Sequence, residues 1–139
     1  MGFEWGWDNI DWIAVVLAVV ANMALGFIWY GKFAFLPMWQ QDNNVTDEMM
    51  QSANMPVVMG GMIVMVLVSA ITLSLILGNI GGGLEEGLLV GAMIGLGITA
   101  MHMIPHYTFA RKTTRLALID SMNTAVGITL SGLIIGAMM

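Results

Sequence analysis

Four long apolar runs dominate the chain, at about residues 12–30, 56–77, 87–107 and 116–139. Each is close to the roughly 20 residues, at about 1.5 Å of rise apiece, that carry a helix across a hydrocarbon layer about 30 Å thick. None alternates apolar with polar positions as the strands of a membrane barrel do. A helix bonds its own peptide groups and an open sheet does not, so lipid selects the helix. The pattern predicts an all-α protein, an integral membrane four-helix bundle of two antiparallel hairpins. It forms a single transmembrane domain over residues 1–139.

The connections differ in kind. Residues 31–55 carry Phe33, Phe35 and Trp39 and then a polar stretch in which Thr46 precedes Asp47 and Glu48. That order reads as an N-cap followed by acidic residues where the helix dipole favours them. A short helix at the membrane interface is therefore expected in this first connection. Residues 78–86 make a glycine-rich turn ending in Glu85 and Glu86, which suit a helix start and diverge too far to act as a catalytic pair. Residues 108–115 are short and basic.

Composition serves mainly to remove alternatives. Apolar residues make up 58% and charged residues 9%, with mean hydropathy +0.85; a water-soluble domain carries about 25% charged residues. A formal charge of −5 offers no footprint for nucleic acid. The absence of cysteine removes disulfides, thiolate metal sites and thiol nucleophiles together. The 15 methionines read as adaptable packing. Glu4, Asp8 and Asp11 precede any cation, unlike the positive start of a secretory signal, so the first run is expected to stay as a span. Nucleophile elbow, phosphate loop and dinucleotide fingerprint are all missing, so neither an enzyme nor a cofactor is expected.

The few cations set an orientation. Lys32, Arg111, Lys112 and Arg115 all fall in the first and third connections. Lys and Arg are retained on the cytoplasmic side. Both connections are thus expected to face the cytoplasm, with the two termini on the outer side of the cell membrane. Trp5, Trp7 and Trp12 at one end of the first run, and Trp29 and Tyr30 at the other, suit two interfacial belts.

Helices in lipid associate through close backbone approach and a few hydrogen bonds. Gly83, Gly87, Gly91, Gly95 and Thr99 recur every fourth residue on the third run. The first offers Ala14, Ala18, Asn22, Gly26 and Tyr30; the fourth offers Asp120, Thr124, Gly127 and Ser131, with Gly132 and Gly136 beside them. This is more small-residue surface than a lone bundle needs, so a homo-oligomer or a subunit of a larger membrane complex is expected.

Ionisable groups inside a span are costly and so are candidates for function. His102 and His106 lie four apart, and folding back around Arg111 and Lys112 brings Asp120 and Asn123 to their depth. A His102/His106/Asp120 cluster with Asn123 nearby could bind a cation or relay protons. The competing reading is plain hydrogen bonding across the hairpin or contact with headgroups. A metal centre is not expected, because the ligand set falls short of any known spacing. Asn22 is expected to make an interhelical hydrogen bond. Pro105 is expected to kink or end the third helix. Trp29-Tyr30-Gly31-Lys32-Phe33 and His106-Tyr107-Thr108-Phe109 close two helices of the same direction, a faint echo between the hairpins.

The run Gly26-Phe27-Ile28-Trp29-Tyr30-Gly31, with Phe35 and Trp39 after it, resembles the signature of the domain of unknown function 1761 family. Phe109, Arg111 and the Leu118-Ile119 pair before a small-residue fourth helix look like that family's C-terminal pattern. Asp120 stands where members often carry Asn, and Asn123 or Thr124 where they often carry His. The resemblance implies small four-helix membrane proteins, supplies no activity, and singles out Gly26, Trp29, Tyr30 and Trp39. For Trp29 and Tyr30 interfacial anchoring is expected rather than ligand contact. Two functions stay open: an accessory or structural subunit, and a minimal oligomeric transporter or channel for a proton, cation or small molecule.

Overall fold

Three of the four long helices begin where a short polar side chain takes up a free backbone N–H. Asp11 accepts from the amide of Ala14 at 3.0 Å, Asn54 from Val57 at 3.4 Å and Thr113 from Leu116 at 3.1 Å. A computed structural model describes residues 2–139. After a 3-10 turn at Trp7–Asn9 come α1 (Trp12–Trp29), α2 (Leu36–Asn43), α3 (Asp47–Gln51), α4 (Met55–Ile80), α5 (Leu84–Phe109) and α6 (Thr114–Met138). Among the described residues there is no strand. Helices α1, α4, α5 and α6 are each long and apolar enough to cross a membrane.

Helix α6 is the centre of the bundle. It packs along the full length of α5 and against α1, α2 and α4. The α5–α6 pairing is antiparallel and so close that backbone meets backbone. A Cβ added at Gly87 would collide with the Gly132 carbonyl, and one at Gly136 with the Gly83 carbonyl. Gly81, Gly82 and Gly83 turn the chain into this pair with φ of 102°, 68° and 114°, which only glycine adopts freely. On the other side of α6, a core of Ile10, Ala14, Val15, Ala18, Ala70, Leu73, Leu77 and Ile135 joins α1 to the second half of α4.

Two local expectations need correction. The first connection holds two short helices, not one. Thr46 does cap α3, accepting from the Met49 amide at 3.2 Å. Ahead of it α2 starts with Pro37 in its first turn, where the missing N–H costs nothing, and stops at Asn44 in the left-handed region. Pro105 neither ends α5 nor marks its irregular stretch. The helix runs on to Phe109, and the departure lies earlier, where Met93–Ala100 is π-helical.

Candidate functional site

The polar focus of the bundle is Asp120, six residues into α6 and so about 9 Å along its axis from Thr114. Helices α1 and α5 run in the same direction and finish beside it. Tyr30, just past the end of α1, donates its hydroxyl to Asp120 Oδ1 at 2.6 Å; Tyr107, near the end of α5, donates to Oδ2 at 2.6 Å. One carboxylate thus ties three helices, with one donor on each oxygen. Trp29 adds a second tie from α1, its indole N–H donating to the Ile119 carbonyl at 3.1 Å. Asp120 makes no ion pair among the described residues.

Asp120 and both tyrosines border a cavity of about 520 Å³ between α1, α4, α5 and α6, on the side of the first and third connections. That volume lies within the roughly 300–1,000 Å³ typical of small-molecule sites. Six methionines line it: Met23, Met50, Met55, Met59, Met62 and Met103. Trp39 of α2 borders it as well and meets the Tyr30 ring edge-on, with centroids 6.3 Å apart. The cavity exists because the first half of α4 stands away from the bundle. Val57 and Met65 there are 68% and 70% exposed, whereas Leu73 and Leu77 in the second half are buried.

The link over the cavity is clasped to α6. Arg115 grips Asp42 of α2 in a two-pronged pair, Nε to Oδ2 at 2.8 Å and Nη2 to Oδ1 at 2.7 Å. The guanidinium holds the Asp42 carboxyl below the usual carboxylate range.

The structure separates the residues the sequence grouped. His102 and His106 are exposed, and His102 Nδ1 turns back to the Ile98 carbonyl at 2.8 Å. Neither histidine bonds Asp120; Tyr107 does, and Met103 lines the cavity beside it. The cause is the π-helical stretch. Regular α spacing from Gly95 would keep Thr99, His102 and His106 on the face towards α6. Bonding from i to i+5 takes in an extra residue, so the buried position after Gly95 is Ala100 and Thr99 is only half-buried. The inward face passes from 102 and 106 to 103 and 107. Asn123 takes no part in the Asp120 bonds, and its buried Oδ1 has no hydrogen-bond partner among the described residues. No three His, Asp or Glu side chains among the described residues converge as metal ligands would.

Other residues fall where the spacing put them. Asn22 donates to Ser131 Oγ across the α1–α6 contact at 2.6 Å and to its own helix at the Ala18 carbonyl at 2.9 Å. Gly87, Gly91 and Gly95 all lie against α6; Gly26, expected at a helix contact, instead has open space around it and faces the cavity. Sequence reasoning treated Trp29 and Tyr30 as anchors and missed their inward bonds. The signal was the echo of Trp29-Tyr30 in His106-Tyr107, whose two tyrosines share one acceptor. Lys32, Arg111 and Lys112 stay in the connections, away from the carboxylate.

No curated protein and no solved structure matches the chain. A family described as Protein of unknown function (DUF1761) matches residues 13–136, a stretch that takes in nearly all of the four spans together with Tyr30, Tyr107 and Asp120. The four-helix membrane chain with this tyrosine-bonded carboxylate therefore belongs to the DUF1761 family.

Proposed function

We propose that the protein is a small-molecule binding protein of the cell membrane, of the minimal transporter type, and no enzyme. Its ligand is apolar over most of its length and has one polar end. The carrying observation is the methionine-lined cavity with a single carboxylate at its border, open beside the detached half of α4. Methionine side chains are flexible and polarizable and adapt to ligands of varied shape. The placement of Lys32, Arg111, Lys112 and Arg115 supports a cytoplasmic position for the cavity end, with the termini outside.

Photolabelling in vesicles with a long-chain alcohol carrying a diazirine tests this. Label is expected on peptides containing Met50–Met62 and Met103, and it is expected to disappear in Gly26→Leu, whose Cβ has nothing within 4 Å and whose side chain extends into the cavity that Gly26 lines. Label spread evenly over all lipid-facing helices, and unchanged by Gly26→Leu, would overturn the proposal.

A second reading keeps one observation of its own. Gly60, Gly61 and Gly97 face open space, and the first half of α4 lacks cover, which suits an accessory subunit docked there or a homo-oligomer. Mass spectrometry of the gently solubilised assembly separates the two: a stoichiometric foreign partner supports the accessory role.

A further inference from the structure

We infer that the ligand of this cavity is a monocationic amphiphile, an aliphatic or aryl-alkyl amine whose ammonium group pairs with Asp120 while its chain lies among the methionines. The inference rests on the cavity being a binding site, as proposed above, and adds the charge of the occupant.

Three observations carry it. Asp120 has no cationic partner of its own among the described residues; it is half-buried at the border of the cavity, and an ionisable group without a partner inside a span is costly. The nearest candidate on its own helix, Arg115, is spent on Asp42. The hydrogen bonds leave room for a donor. A carboxylate offers about four acceptor positions; Tyr30 and Tyr107 occupy one on each oxygen, so each oxygen keeps a lone pair for a ligand N–H. The two hydroxyls also hold the carboxylate in place, so no reorientation is needed when a cation arrives. The remaining surroundings suit a cation and repel an anion. Trp39 and Tyr30 present aromatic rings that attract an ammonium group, and no Lys or Arg lines the cavity. A zwitterionic lipid head would bring a phosphate with no cation in the cavity lining to pair it. The occupant is therefore a free amphiphilic amine rather than a phospholipid headgroup.

The test is displacement of the diazirine label by decylamine, decan-1-ol and decanoate, in wild type and in Asp120→Asn. In wild type, decylamine is expected to displace the label at about ten- to hundred-fold lower concentration than decan-1-ol, the scale of a charge-assisted hydrogen bond. Decanoate is expected to be weakest. In Asp120→Asn the advantage of the amine disappears while the alcohol still competes. Equal potency of amine and alcohol in wild type would overturn the inference and leave the binding cavity standing. Failure of any label to reach the cavity would overturn both. Displacement by vesicles rich in phosphatidylethanolamine, at the potency of the free amine, would overturn the choice of a free amphiphile. The wild-type comparison does not depend on whether the Asn variant folds.

Discussion

The two halves of α4 live in different molecules, physically speaking. From Ala70 onward the helix is locked: Leu73, Ser74 and Leu77 are buried, Ser74 accepts from the Asp11 amide at 3.1 Å, and Asn79 exchanges two bonds with the backbone of Glu4. Before Leu67 it touches little, and the cavity fills the gap. The same contrast separates the glycines. Gly87, Gly91 and Gly95 of α5 are pressed against the α6 backbone, whereas Gly26, Gly60, Gly61 and Gly97 border open space. Glycine thus does two opposite jobs here: it closes one helix pair, and elsewhere it leaves room.

The largest effect is expected at the closed pair. A Cβ at Gly91 would lie 2.9 Å from Thr129 Cα and 3.0 Å from the Ile128 carbonyl oxygen, and backbone cannot step aside as a flexible side chain can. Gly91→Ala should cost about 1–3 kcal/mol, the usual scale of overpacking, read by denaturant titration in micelles. Gly61→Ala, with nothing within 4 Å of the added methyl, should leave stability unchanged or raise it by up to about 1 kcal/mol. Equal losses at the two positions would erase the contrast.

Next in size is Asn22→Ala. It removes the α1–α6 hydrogen bond to Ser131 and should cost about 0.6–1.7 kcal/mol by the same titration. Because Asn22 Oδ1 also covers Gly127, the loss should shrink when Gly127→Ala is added to refill the space. A deeper loss in the double variant would mean that α6 needs glycine there for its own sake.

Much of this division was legible in the sequence and one part was not. The glycine spacing of α5, the polar Asn22 on an apolar face and the N-cap at Thr46 each translate directly into contacts, because α-helical geometry fixes which residues share a face. The carboxylate was legible as a candidate. Its partners were not, because regular spacing fails across Met93–Ala100, and one added residue moves the face by about 100°. That shift exchanged His102 and His106 for Met103 and Tyr107. The cavity was invisible for a related reason. Apolar residues facing lipid and apolar residues lining a void have the same composition, so hydropathy alone cannot tell the two halves of α4 apart.

The smallest effect is expected at the clasp over the cavity, where Arg115 holds Asp42. Its folded-state pKa lies below the ordinary carboxylate value because the guanidinium favours the charged form. A lowered folded pKa means that the contribution is present above the unfolded value, about 3.9, and is lost as pH falls through the folded one. At neutral pH the clasp is complete; acid below about pH 4 should loosen α2 while the α5–α6 pair, which uses no titrating group in its glycine contacts, keeps its protection. Arg115 is exposed although the Asp42 side chain is largely covered, so salt should weaken the pair modestly in the same direction. Amide hydrogen exchange across 36–43 is the measurement, with Asp42→Asn as the control expected to exchange quickly at every pH. Should exchange in α2 rise only together with exchange in α5 and α6, the link would be one cooperative unit with the glycine-packed pair, and the closed and open regions would not be separable by charge.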